Sequence, residues 1–192
     1  MKLEGIKNKF QYNSPVILTF TLISLGAYFL GWLSHGNITK FLFSVYRTSV
    51  LDPLQYIRIF THVFGHVNWQ HFVGNFTIIL LIGPMVEEKY GSKIIIEMIL
   101  ITAGVTGILN VLFFPQIMLL GASGIAFMFI LLGSFVNVEK GKIPLTFIII
   151  LFVFLGKEIV QGILSKDNIS QFAHIIGGGC GSIFGYLYNK RG

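Results

Sequence analysis

Apolar residues run along this chain in stretches longer than a soluble core needs, and short polar segments punctuate them. Pro15–Leu33 is the first stretch, long enough to cross a bilayer as one helix. Ahead of it, residues 1–14 are polar and carry Lys2, Lys7 and Lys9. No small-x-small cleavage site follows, and more apolar runs come later, so the pattern predicts a retained helix rather than a signal peptide. Further spans are predicted over Trp69–Val86, Lys93–Phe114, Ala122–Val138, Ile143–Leu164 and Gln171–Tyr188. Glu87–Ser92 reads as a charged turn with a glycine stop at Gly91, Pro115–Gly121 as a short connection, and Ser165–Ser170 as a polar loop. Residues 34–68 hold no full span. A structureless connection of that length would be unusual, so the expectation is interfacial helices on the outer membrane surface, including an amphipathic piece at Ile38–Tyr46. Tyr46, Tyr56 and Trp69 suit that depth.

Composition sharpens this into a class. The 192 residues are 54% hydrophobic and 11% charged, with a mean hydropathy of +0.76; a soluble domain carries about 25% charged residues. The fold expected is an all-α polytopic membrane protein, one domain over residues 1–192, built as a six-helix transmembrane bundle with a large outer first loop at 34–68. The net charge of +6 comes without any basic run interleaved with aromatics, so no nucleic-acid partner is expected; basic inner loops explain the charge instead. With both termini inside, the inner side holds Lys2, Lys7, Lys9, Lys89, Lys93, Lys140, Lys142, Lys190 and Arg191. The outer side then holds Lys40, Arg47, Arg58, Lys157 and Lys166. Nine against five favours an N-in, C-in arrangement. The single Cys180 rules out an intramolecular disulfide and reads as a small packing residue. The simplest membrane to expect is the plasma membrane, because no organelle-targeting extension precedes the first span.

This topology gathers polar residues at one depth. Ser123 opens the fourth span at its outer end, where helix-terminal N–H groups favour developing negative charge. That span, about 25 Å long at 1.5 Å per residue, is shorter than a ~30 Å hydrocarbon core, which sets Ser123 below the outer surface. His174 lies near the outer end of the sixth span and is the histidine placed to take a proton from Ser123. No carboxylate is near His174 in sequence, so a serine–histidine dyad fits better than a triad. Ala173, Gly177, Gly181 and Gly185 recur every four residues, a small-residue stripe that lets two helix backbones touch. His71 and Asn75, at i and i+4, share a helix face and with the Ser123 N–H form a candidate oxyanion site. Phe127, one turn below Ser123, is placed to pack on the imidazole. A rival reading uses His62, His66 and His71 as metal ligands. No His-Glu-x-x-His and no nearby acid supports it, and His62 and His66 are better read as satisfying backbone groups in the loop. Lys157 and Glu158 read as snorkelling or loop contacts, and Asn110 as an interhelical hydrogen-bonder.

Taken together, these segments resemble the rhomboid intramembrane serine proteases. Gly121-Ala122-Ser123-Gly124 looks like the family's Gly-x-Ser-Gly motif, His71-Phe72-Val73-Gly74-Asn75 its His-x-x-x-Asn motif, and Ala173-His174-Ile175-Ile176-Gly177 its Ala-His-x-x-Gly motif. Arg58-Ile59-Phe60-Thr61-His62 followed by His66 is similar to the end of the family's large first loop, and Glu87 and Gly91 also fall in place. The likeness covers about Leu51–Tyr188. It implies a cavity open to the outer side and cleavage of single-span membrane proteins without metal or cofactor. It implies Ser123 as nucleophile, His174 as base, His71 and Asn75 on the oxyanion, and Gly177 and Gly181 as close-packing positions. The fifth span and Ser165–Ser170 would be a movable substrate entrance. A relative that binds membrane helices without cutting them is the alternative. Two departures stand out. Ile57-Arg58 replaces a frequent Trp-Arg, from which weaker anchoring of the first loop is expected. Phe127 replaces a frequent Tyr, which keeps a ring but loses a hydroxyl.

Overall fold

The computed structural model describes residues 11–164 and 169–191, and within them the chain is a bundle of α-helices. In order these are α1 (Pro15–Leu33), α2 (Asn37–Leu42), α3 (Pro53–Thr61), α4 (Trp69–Tyr90), α5 (Ser92–Phe113), α6 (Ser123–Gly133), α7 (Leu145–Leu164) and α8 (Ile169–Arg191), with a single 3-10 turn at His62–Phe64. Of these, α1, α4 and α5 are long and apolar enough to cross a membrane. The lysines of the N-terminal segment lie outside the described residues, as do residues 165–168 of the expected Ser165–Ser170 loop and the side chain of Glu158.

Helix boundaries follow local chemistry. Pro15 starts α1, where a missing N–H removes no helical bond. The N–H groups of Val16 and Ile17 donate to the two oxygens of Glu87, each at 3.1 Å, and Ser92 Oγ donates to Glu87 at 2.7 Å. This buried carboxylate caps a neighbouring helix. It corrects the expected turn at Glu87–Ser92: α4 does not stop at Val86 but runs on to Tyr90, because its charged residues have partners within the bundle. Lys89 likewise donates to the carbonyl of Phe135. Gly91, at φ 82°, then closes α4.

A second correction concerns α6. The apolar run predicted a helix over Ala122–Val138, yet the helix covers only Ser123–Gly133, about 16 Å. Ser134 Oγ returns to the Leu131 carbonyl at 2.6 Å, and turns at Phe135 and Val136 follow. Eight residues of α6 are buried. The helix is therefore surrounded by protein, and its apolar length does not have to match the bilayer. It packs most extensively against α8 and next against α4.

The first loop is tied down at several points. The amphipathic piece expected at Ile38–Tyr46 is helical only to Leu42, because Val45 leaves the helix to pair with Leu119. Both N–H···O bonds of that one-residue bridge measure 2.9 Å. Asn110 donates to the carbonyls of Val45 (3.3 Å) and Ile117 (3.0 Å). It pins the bridge from α5 and does not link two helices, as the sequence suggested. Arg58 is buried, pairs with Asp52 at 2.7 Å, donates to Tyr46 Oη at 3.1 Å and lies 4.5 Å above the Tyr46 ring. Thr48 and Leu54 hydrogen bonds, with Arg58 beside it, hold the Asp52 carboxyl below its ordinary range. Ile57 faces outward at 48% exposure, so in this structure Arg58, the Val45–Leu119 bridge and Asn110 are what tie the loop down.

Candidate active site

The turn before α6 forces the geometry of the site. Gly121 adopts φ +123°, a conformation side chains avoid. A Cβ there would also sit 2.6 Å from His71 Cε1, 2.9 Å from His71 Nε2 and 3.7 Å from Asn75 Nδ2. His71 and Asn75, one turn apart on α4, therefore both face the backbone two residues before Ser123. Asn68 sets the start of that helix by accepting the His71 N–H at 2.8 Å. Ser123 is buried, at 9% exposure, and is the first residue of α6.

His66 joins this group, although the sequence suggested only a loop role. Its Nδ1 faces the Phe64 carbonyl at 3.2 Å and so carries the ring proton. Its Nε2 then accepts from Asn75 Nδ2 at 3.1 Å and from the Ala122 N–H at 3.4 Å. Burial, with His71 nearby, pushes the His66 pKa down to about 4, so the ring is neutral at physiological pH and keeps its acceptor. The pairing turns the Asn75 amide so that its NH2 points toward the Gly121–Ala122 backbone. One of those two protons serves His66, and the other is available to a ligand. No local sequence signal marks this role, because the partner Ala122 lies 56 residues away.

His62 is fully engaged elsewhere. Its Nδ1 bonds to the Ile59 carbonyl at 3.0 Å, its Nε2 lies 3.4 Å from Thr106 Oγ1, and its carbonyl accepts the Gly121 N–H at 3.0 Å. Burial lowers its pKa to about 4. Among the described residues no group of three or more His, Cys, Asp or Glu could hold a metal ion. The rings of His62 and His66 each hold protein partners at both nitrogens.

The serine and the histidine sit on the two helices that touch most closely. A Cβ on Gly177 would collide with the carbonyl of Gly124 and lie 2.7 Å from its Cα. One on Gly181 would collide with the carbonyl of Met128 and lie 2.9 Å from its Cα. A Cβ on Gly124 would meet the Ala173 carbonyl at 3.4 Å. Backbone thus meets backbone at the residue after Ser123 on α6 and, on α8, at Gly177, one turn after His174. Phe127 packs against His174 with ring centroids 4.2 Å apart and the planes tilted by 38°. Beside the site a cleft of about 740 Å³ opens among Tyr28, Trp32, Lys40, His66, Met118 and Leu120.

The rhomboid domain profile matches residues 53–191, more than half of the chain. The chain belongs to the rhomboid family. Comparison with curated proteins gave no match. The matched segment starts at the first residue of α3 and contains Arg58, His66, His71, Asn75, Ser123 and His174. Rhomboid proteins are generally intramembrane proteases, and with three helices among its described residues fit to span a bilayer, the chain is a multi-pass membrane helical bundle.

Proposed function

We propose that this rhomboid protein is an intramembrane serine endopeptidase that cuts single-span membrane proteins in or near their transmembrane segment. The observation that carries the reading is the backbone interlock of α6 and α8 at Gly124 and Gly177, next to Ser123 on one helix and one turn from His174 on the other, with Phe127 of α6 against the His174 ring. In this mechanism His174 takes the Ser123 proton as Oγ attacks the scissile carbonyl carbon. The carbonyl oxygen becomes an oxyanion, and the Ser123 N–H, His71 and the second Asn75 proton donate to it. His66 holds the amide in register for that bond. His174 then protonates the departing amine, and a water activated by the same base hydrolyses the acyl-enzyme.

The membrane arrangement proposed with it is six spans (α1, α4, α5, α6, α7 and α8) in a plasma membrane, with both termini inside. The short α6 is then the buried strut of the bundle, and Ser123 lies below the outer surface, three residues on from Leu120 in the lining of the cleft. The test is cleavage of a single-span reporter in proteoliposomes. The wild type is expected to release fragments, and Ser123→Ala and His174→Ala to release none while still inserting normally. A folded wild type that cuts no reporter and takes no fluorophosphonate label would make the chain a helix-binding relative without protease activity.

A further inference from the structure

Helix α7 meets the bundle at two rings among its described residues, Phe147, 4.8 Å from Phe135, and Phe154. Among its described residues only Phe154 is buried, at 6% exposure, while Phe152 and Val153 beside it are 74% and 68% exposed. The Phe154 ring lies 4.6 Å from that of Phe127, and Phe127 lies 4.2 Å from His174. Three rings on three helices thus form one chain of tilted contacts. Helix α8 leaves room for it: a Cβ on Gly178, one turn below His174, would sit 2.8 Å from Phe154 Cε1. Phe127 is only half-buried. A second, apolar crevice of about 230 Å³ lies between α6 and α7, lined by Phe127, Ile130, Ile150, Val153 and Phe154. If Phe154 withdraws, Phe127 gains space to leave the imidazole.

We propose that Phe154 is a positioning residue for the base: docking of α7 presses Phe127 onto His174, and undocking releases the imidazole. The inference rests on the protease reading for the role of His174. It separates access from chemistry, because any α7 displacement that admits a substrate has to reverse before acylation begins.

The experiment measures the rate of Ser123 labelling by a small fluorophosphonate, together with kcat and KM on the single-span reporter. The proteins are the wild type, Phe154→Ala, Phe154→Leu, Phe154→Tyr, Phe127→Ala and the Phe127→Ala/Phe154→Ala double variant. Phe154→Ala is expected to lower labelling and kcat about tenfold with KM unchanged, since small misplacements of a reacting group cost this much or more. Phe154→Leu, apolar without a ring, is expected to lose activity as well, and Phe154→Tyr to keep it. In the Phe127→Ala background, Phe154→Ala should add less than a twofold effect, because both act through one contact. Labelling at the wild-type rate in Phe154→Ala and Phe154→Leu, a change confined to KM, or fully additive effects would overturn the proposal. If Phe154→Ala does not fold, the Leu and Tyr variants decide by the same criteria. A wild type unlabelled at Ser123 overturns the protease reading and this inference together, whereas a labelled wild type with unaffected variants overturns this inference alone.

Discussion

Replacing Gly177 with alanine tests the contact on which the site depends. The new Cβ would lie 2.7 Å from Gly124 Cα and collide with the Gly124 carbonyl. Carbon atoms in contact sit about 3.5–4.0 Å apart, so α8 has to retreat from α6 by about 1 Å. Backbone on both sides cannot swing aside as a side-chain tip would. Over-packing of this kind costs about 1–3 kcal/mol of stability, and a 1 Å misplacement of reacting groups costs ~100-fold in rate. The control is Gly179, two residues on, where an added Cβ meets no atom within 4 Å. Gly179→Ala should be neutral or gain up to about 1 kcal/mol from helix propensity. Initial rates of reporter cleavage in proteoliposomes and melting curves in detergent measure both effects. A Gly177→Ala protein that cuts within twofold of wild type would mean that the histidine does not need this close approach.

Gly121→Ala is expected to lose activity and about 1–3 kcal/mol of stability, from the strained backbone and the clash with His71, as read by reporter cleavage and melting; wild-type behaviour in both counts against the assigned turn geometry. Glu87→Ala strands the N–H groups of Val16 and Ile17, and at about 1–3 kcal/mol per unsatisfied donor it should lower the melting temperature clearly, with Glu87→Gln milder. Stability should also fall in acid. His62 and His66 have folded pKa values of about 4 against 6.5 for the free side chain, so the unfolded chain binds the extra protons. Their contribution is complete above pH 6.5 and declines as pH drops toward 4, by roughly 3 kcal/mol per histidine. Melting temperatures across that range should drop steeply in the wild type and less in His62→Asn or His66→Asn, while a flat wild-type profile would contradict the buried neutral rings.

The long helices were legible because runs of apolar residues bounded by polar ones report membrane-scale length directly. α1 matches its predicted bounds, and α5 and α7 match within two residues. The errors arise where a tertiary partner overrides local character. Glu87 looked like a turn residue because nothing near it in sequence shows that α1 needs a cap. Phe135 and Val136 looked helical because apolarity cannot separate a helix from turns packed against Lys89. The Val45–Leu119 bridge has no periodicity to read, being a single pair 74 positions apart. In the site, the i,i+4 spacing of His71 and Asn75 and the four-residue glycine stripe are patterns on single helices, so they were readable. The roles of His66 and Phe154 depend on Ala122 and Phe127 from other segments, so no local pattern carries them.

The proposed protease activity requires that Ser123 be a nucleophile served by His174. The most direct measurement is fluorophosphonate labelling of the folded protein, with the modified residue located by mass spectrometry. A single adduct on Ser123 is expected in the wild type, absent in Ser123→Ala and in His174→Ala. Labelling that persists undiminished in His174→Ala, or that falls on another residue, would contradict it.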